Sequence, residues 1–167
     1  MSNYKIIIYG NSISAYVAGI YTITANMPTL IIQPRNKNIN LKNTDKIIGT
    51  NPDNEKDYDV IKFTKQQCID FKIDMIECDE EIKLNINDKV TVKVEDKEYE
   101  VDCLISEYVL NGNNIINGCN ISNKDGKLVD KKIFYCGEGK GVMYEGIVMA
   151  GSGCMAALEA KDFLHSE

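Results

Sequence analysis

Histidine is nearly absent: His165, close to the carboxyl end, is the only one. A zinc site or a histidine-based triad would therefore have to rest on a fraying terminus, and both are set aside. The six cysteines, Cys68, Cys78, Cys103, Cys119, Cys136 and Cys154, contain no C-x-x-C pair. With no local redox or zinc spacing, buried free thiols are the expectation. No apolar run approaches the ~20 residues of a membrane span. Met1 to Tyr9 has too short an apolar run and no cleavage pattern for a secretory signal, so the expected location is cytoplasmic. Positive charge is in deficit. The net charge of −6 argues against a bulk grip on nucleic-acid phosphates, and leaves docking on a protein partner open. There is no internal repeat and no low-complexity tail. What remains is a chain of 167 residues, 44% apolar, large enough to bury one real core.

Tyr4 to Tyr9 is a β-branched run that stops at Gly10 and reads as a buried parallel strand. Ile13 to Asn26 repeats apolar and small residues at helical spacing, through Ile13, Val17, Ile20 and Ile23, until Pro28 breaks it. Thr29 to Gln33 is a second strand, closed by Pro34, which completes a β-α-β unit. Arg35 to Asp57 is polar and reads as a long, partly ordered loop. Tyr58 to Phe71 regains helical spacing through Tyr58, Ile61, Gln66 and Ile69, and Ile73 to Cys78 follows as a strand. The next stretch alternates. Leu84 and Ile86, then Val90, Val92 and Val94, then Tyr99, Val101 and Cys103 each share a face, with turn signals at Asn87-Asp88 and Glu95-Asp96-Lys97. That pattern predicts a three-stranded antiparallel meander with one solvated face. Leu104 to Leu110 returns to the main sheet, Asn111 to Lys132 is weakly patterned, and Ile133 to Cys136 is a last short strand. A final helix runs from about Glu145 to His165. Its apolar line is Ile147, Gly151, Cys154 and Leu158, and Ala150 to Gly153 make its first turns thin. The fold class is α/β, a parallel sheet with an added antiparallel β-meander.

The first βα turn is where a Rossmann-type domain binds a dinucleotide. Three small residues are needed there, and the sequence offers Gly10, Ser12 and Ala15. Gly10 permits the tight turn and Ala15 the close packing of helix on strand. Ser12 puts a side chain where a pyrophosphate would lie. The acidic residue expected roughly 20 positions on is replaced by Gln33, a weaker acceptor for a ribose hydroxyl. A tight turn with no ligand needs Gly10 and Ala15 just as much.

The run Ile133-Phe134-Tyr135-Cys136-Gly137-Glu138-Gly139, continued by Gly151-Ser152-Gly153-Cys154-Met155-Ala156-Ala157-Leu158-Glu159-Ala160, resembles the end of the flavin domain of the thioredoxin reductase family. Tyr4 to Gln33 is similar to that family's amino-terminal flavin-binding β-α-β unit, including Ala25-Asn26 before the second strand. The resemblance implies a Rossmann-like FAD/NAD(P)-binding fold and a homodimer formed through flavin-domain surfaces. It also implies that 1–167 is a single flavin-type domain whose sequence halves are 1–110 and 111–167. In the family an NADPH-binding domain carrying the redox C-x-x-C is inserted between those halves. Here a short polar stretch near Glu107 to Asn111 stands in its place, so neither NADPH nor a dithiol relay is expected.

The positions that the resemblance assigns to FAD are Gly10, Ser12, Ala15, Gln33, Gly137, Glu138, Gly146 and Ile147. Several depart from the family pattern. The second glycine is Ser12, the acidic ribose ligand is Gln33, and the Asp of the Gly-Asp pair is Glu138, one methylene longer. The Arg-Gln-Ala at the start of the last helix is Glu145-Gly146-Ile147, and a carboxylate there repels a reduced, anionic flavin. These changes run against FAD binding. The favoured expectation is a degenerate thioredoxin-reductase-like protein without reductase activity, a catalytic residue or a metal, its fold reused as a scaffold for a protein partner. The alternative is an FAD-binding flavoprotein that receives electrons from an external donor. Neither reading expects nucleic-acid or membrane binding.

Overall fold

The computed structural model describes residues 4–49, 59–116 and 122–166. β1 (Ile6–Tyr9) is fully buried, as is β2 (Thr29–Pro34), and α1 (Ile13–Thr24) joins them. α2 (Val60–Asp70) leads into β3 (Asp74–Cys78). The Asp59 side chain caps α2 by accepting from the Ile61 and Lys62 amides at 3.0 and 3.1 Å. β4 (Lys83–Ile86), β5 (Val90–Val94) and β6 (Lys97–Val101) form the meander. β7 (Cys103–Ser106) re-enters the main sheet, β8 (Ser122–Lys124) and β9 (Lys127–Val129) pair as a hairpin, and β10 (Ile133–Tyr135) follows. The chain closes with a single turn, α3 (Gly137–Lys140), and the long α4 (Gly146–Ser166).

The main sheet has the order β10-β7-β1-β2-β3 and is parallel throughout. Strand β10 lies beyond Lys132 in sequence and pairs with β7, so both sequence halves build one sheet. Three layers result. On one face Ile7, Tyr9, Leu30 and Ile32 pack with the inward meander residues Leu84, Ile86, Val90, Val92, Val94 and Val101. On the other, Ile6, Ile8, Ile31, Cys103 and Ile105 pack against Ala15, Tyr16 and Ala18 of α1, Cys68 of α2, and Ala156, Ala157 and Ala160 of α4. Continuous apolar strands buried on both faces, beside an alternating meander, match the pattern read from the sequence.

Three details differ from that reading. Strand β7 ends at Ser106, not Leu110, because the chain leaves the sheet at Glu107. The stretch read as weakly patterned holds the β8–β9 hairpin, turned at Asp125 and Gly126, both with positive φ. The loop after β2 is partly ordered, as expected: Lys42 bridges to Glu145 ahead of α4; residues 50–58, with Tyr58 among them, lie outside the described residues. The largest difference is the face of α4. Ile147 and Leu158, on the predicted apolar line, are about half exposed at 48% and 46%. The buried stripe is the small one: Gly146, Met149, Ser152, Gly153, Ala156, Ala157 and Ala160. Close approach to α1 selects for small residues there, which turns the long apolar side chains outward.

Candidate functional site

Strand order reverses around β1: α1 carries the chain to β2 on one side, while β7 lies on the other. In an open α/β sheet this switch point, at the carboxyl ends of the strands, is the place for a ligand. The β1–α1 turn, Gly10 to Ser12, opens onto it. Directly across, at the end of β7, stands Glu107, which is fully buried.

The Glu107 carboxylate fills the turn. Its Oε2 accepts from the Asn11 and Ser12 amides at 2.9 and 3.0 Å. Its Oε1 accepts from the Ala15 amide at 3.3 Å and from the Ser14 hydroxyl. Its backbone is fixed as well: the Glu107 amide donates to Tyr9 O at 2.9 Å, and its carbonyl accepts from Gly139 of α3 at 2.6 Å. A Cβ at Gly10 would lie 2.7 Å from both Cβ and Oε2 of Glu107, so this glycine makes room for the carboxylate. Gly137 backs the same side chain, and a Cβ there would come within 3.1 Å of Glu107 Cγ. Burial pushes the Glu107 carboxyl above its ordinary range, while the four donors act in the opposite direction.

The neighbours close the rest of the mouth. Asn11 donates through Nδ2 to the carbonyls of Pro34 and Lys37 at 2.6 and 2.8 Å, and accepts from the Tyr108 hydroxyl. Gln33 is buried, and its Oε1 accepts from the Tyr16 hydroxyl at 2.9 Å. Beside it a cavity of about 200 Å³ is lined by Asn11, Tyr16, Gln33, Arg35, Lys65 and Glu77. Arg35 is held at its rim by Glu77 and Asp79, both at 2.9 Å.

The structure thus gathers Gly10, Ser12, Ala15 and Gly137 around Glu107 and places Gln33 next to them. The other three positions lie apart from that cluster. Glu138 accepts from the Tyr144 hydroxyl at 2.9 Å. Gly146 packs against Ile47, and Ile147 turns half outward. Glu145, read as a carboxylate facing a flavin, accepts instead from Asn43 Nδ2 at 2.7 and 2.8 Å. Sequence reasoning missed Glu107 and Asn11. The available signal was an acidic residue directly after the apolar run Cys103 to Ser106, at the carboxyl end of a buried parallel strand. A dinucleotide pyrophosphate would need the donors that Glu107 engages and the space it fills, and it would meet a carboxylate. It does not fit the turn in this conformation.

No family model matches the chain, and no curated protein does. Solved structures do. The thioredoxin reductase of Streptococcus pyogenes aligns with a TM-score of 0.68 at 12% identity, over 98% of this chain and 99% of that one. The ferredoxin-flavin thioredoxin reductase of Clostridium acetobutylicum aligns with a TM-score of 0.69 at 11% identity, over 98% and 99%. This chain has a thioredoxin-reductase-like fold. An oxidoreductase from Agrobacterium tumefaciens, with a TM-score of 0.66 at 10% identity over 99% and 100%, shares the same architecture. At these identities the likeness is one of fold.

Among the described residues no three His, Cys, Asp or Glu side chains come together as a metal site, and no helix is long and apolar enough to cross a membrane. Cys119 lies outside the described residues; the other five cysteines are free thiols, Cys136 and Cys154 included. Burial pushes Cys68 and Cys103 up to about 12 and Cys78 up to about 11, and raises Cys136 as well. Cys154 is the one described cysteine that is not buried. Limited alkylation of the native protein, read by peptide mass spectrometry, should therefore mark Cys154 well before these four. Equal labelling of Cys68 or Cys103 would contradict the packing described here.

Proposed function

We propose that this chain is a thioredoxin-reductase-like fold that performs no reductase chemistry and serves as a protein-binding scaffold. The observation that carries the reading is the Glu107 carboxylate lodged in the β1–α1 turn, on the donors a phosphate would use. The missing C-x-x-C supports it, because thiol–disulfide relay needs a second cysteine within reach. On this reading 1–167 is one flavin-type domain with no NADPH domain between 110 and 111. The five described cysteines, free and mostly buried, suit a reducing cytoplasm.

The exposed side of α4 is the surface the reading assigns to docking. Ile147, Met155 and Leu158 are all about half exposed there. The reading includes a homodimer on flavin-domain surfaces. Leu158→Glu with Met155→Glu should then convert dimer to monomer in sedimentation at a fixed concentration, and lower the melting temperature by the stabilisation that the partner copy supplied. An unchanged mass would remove this face from the interface.

A second reading, an FAD-binding flavoprotein reduced by an external donor, is favoured by the cavity beside Gln33, which the Gln33 side chain lines. One experiment separates the two. Freshly purified protein should be colourless, and excess FAD should leave its melting temperature unchanged, because a ligand that binds only the native state must raise stability. A yellow protein that releases one FAD per chain on denaturation would establish the second reading instead.

A further inference from the structure

We propose that the Glu107 carboxylate is an internal ligand standing in for a bound phosphate, and that the β1–α1 turn retains the anion-binding capacity that Glu107 consumes. The inference rests on the geometry of the turn, not on the scaffold role. It predicts a latent site for inorganic phosphate and pyrophosphate, masked by one side chain.

The capping of α1 points the same way. Ser12 occupies the N-cap, and serine is a residue type that usually caps its own helix by accepting from the second or third amide. Here it makes no cap bond, and its hydroxyl is buried without a partner among the described residues. The Ala15 amide, which a local cap would engage, donates to Glu107 from 92 positions away. The first turn of α1 contains no acidic residue, so nothing in the helix itself answers its positive end. The anion comes from β7, and both of its oxygens are engaged by donors of the turn. The space is shaped to that anion from two sides, by the missing Cβ atoms of Gly10 and Gly137. A helix start with converging amides, a buried orphan hydroxyl and a carboxylate set among them is a phosphate cradle carrying its own occupant.

Truncating Glu107 to alanine removes the carboxylate and the methylene that bears it, and leaves the donors in place. The test is the melting temperature of wild type, Glu107→Ala and Glu107→Gln with inorganic pyrophosphate or phosphate, against potassium chloride of matched ionic strength. Pyrophosphate at 100 times its dissociation constant should raise the melting temperature of Glu107→Ala by about 5–10 °C. Wild type and Glu107→Gln, whose cradles stay filled, should not respond. No response in Glu107→Ala, or the same response in all three, overturns the proposal. If Glu107→Ala does not fold alone, folding induced by pyrophosphate supports it. If pyrophosphate fails there too, wild type decides by NMR. The amides of Asn11, Ser12 and Ala15 should then shift together as the Glu107 carboxyl titrates, and amides that ignore that titration overturn the proposal. FAD binding to wild type would defeat the scaffold reading, while these outcomes bear on the cradle alone.

Discussion

Gly153→Ala is expected to destabilise the protein by about 3 kcal/mol or more, the upper end of what overpacking costs. A Cβ built on Gly153 lies 2.9 Å from the Ser14 carbonyl carbon and 3.1 Å from Ser14 Cα, with the Ser14 carbonyl oxygen nearer still. The obstacle is backbone, so no rotamer change relieves it. Nor can α1 shift freely, because Ser14 and Ala15 hold Glu107 on the other side of the same turn. The strain therefore spreads into the cradle. Gly151→Ala is the matched control. Its Cβ would meet nothing within 4 Å, and replacing an exposed helical glycine should stabilise by about 0.5–1 kcal/mol. Urea denaturation of both variants, fitted with a common slope, measures the contrast. A Gly153→Ala variant within ~0.5 kcal/mol of wild type, the range of an ordinary surface change, would mean that the two helices are not in backbone contact.

That contact explains why α4 was only half legible in the sequence. Its boundaries follow from its helical spacing. Its orientation does not, because the long apolar residues Ile147 and Leu158 outweigh the glycines and alanines in any hydrophobic pattern. A helix that meets another at the backbone reverses the usual rule: small residues are buried and large ones face out. The parallel strands were legible because buried β-branched runs such as Ile6 to Ile8 have few other places to go. The meander was legible because its alternation has a period of two. The β8–β9 hairpin carried the strong Asp125-Gly126 turn signal, but its polar first strand, Ser122-Asn123-Lys124, has no apolar alternation to frame it.

The candidate site divides in the same way. Gly10, Ser12, Ala15 and Gln33 were found because their spacing from the end of β1 defines them. Gly137 was found through the resemblance of the run around it. Glu107 is 95 positions from Ser12, and only the pairing of β7 with β1 brings the two together. Local spacing cannot show such a contact; strand order can. An acidic residue at the carboxyl end of a strand next to β1 is the feature to look for in other chains with this topology.

Glu107→Gln should lower stability by about 3 kcal/mol at neutral pH, since its amide turns one oxygen into a donor aimed at donors. Two of the four bonds to the carboxylate lose their acceptor, in a place water does not reach. Tyr16, Tyr108 and Cys136, the titratable neighbours, are themselves raised by burial, so all stay neutral across the accessible range. The pH dependence follows from the native carboxyl being held above its ordinary value of 4.5 by burial. Between that value and the native one, the folded chain keeps a proton that the unfolded chain has lost. The contribution of Glu107 is therefore fully present below the ordinary value and declines as pH rises through the native one. Above it, the ionised carboxylate remains, held by its four donors. Stability of wild type minus that of Glu107→Gln, measured by urea melts from about pH 4 to 8, should accordingly fall with rising pH and then level off. A difference that grows with pH would mean that the donors outweigh burial and hold the carboxyl below its ordinary value. The sign of that slope shows whether burial or the helix start dominates the electrostatics of the turn.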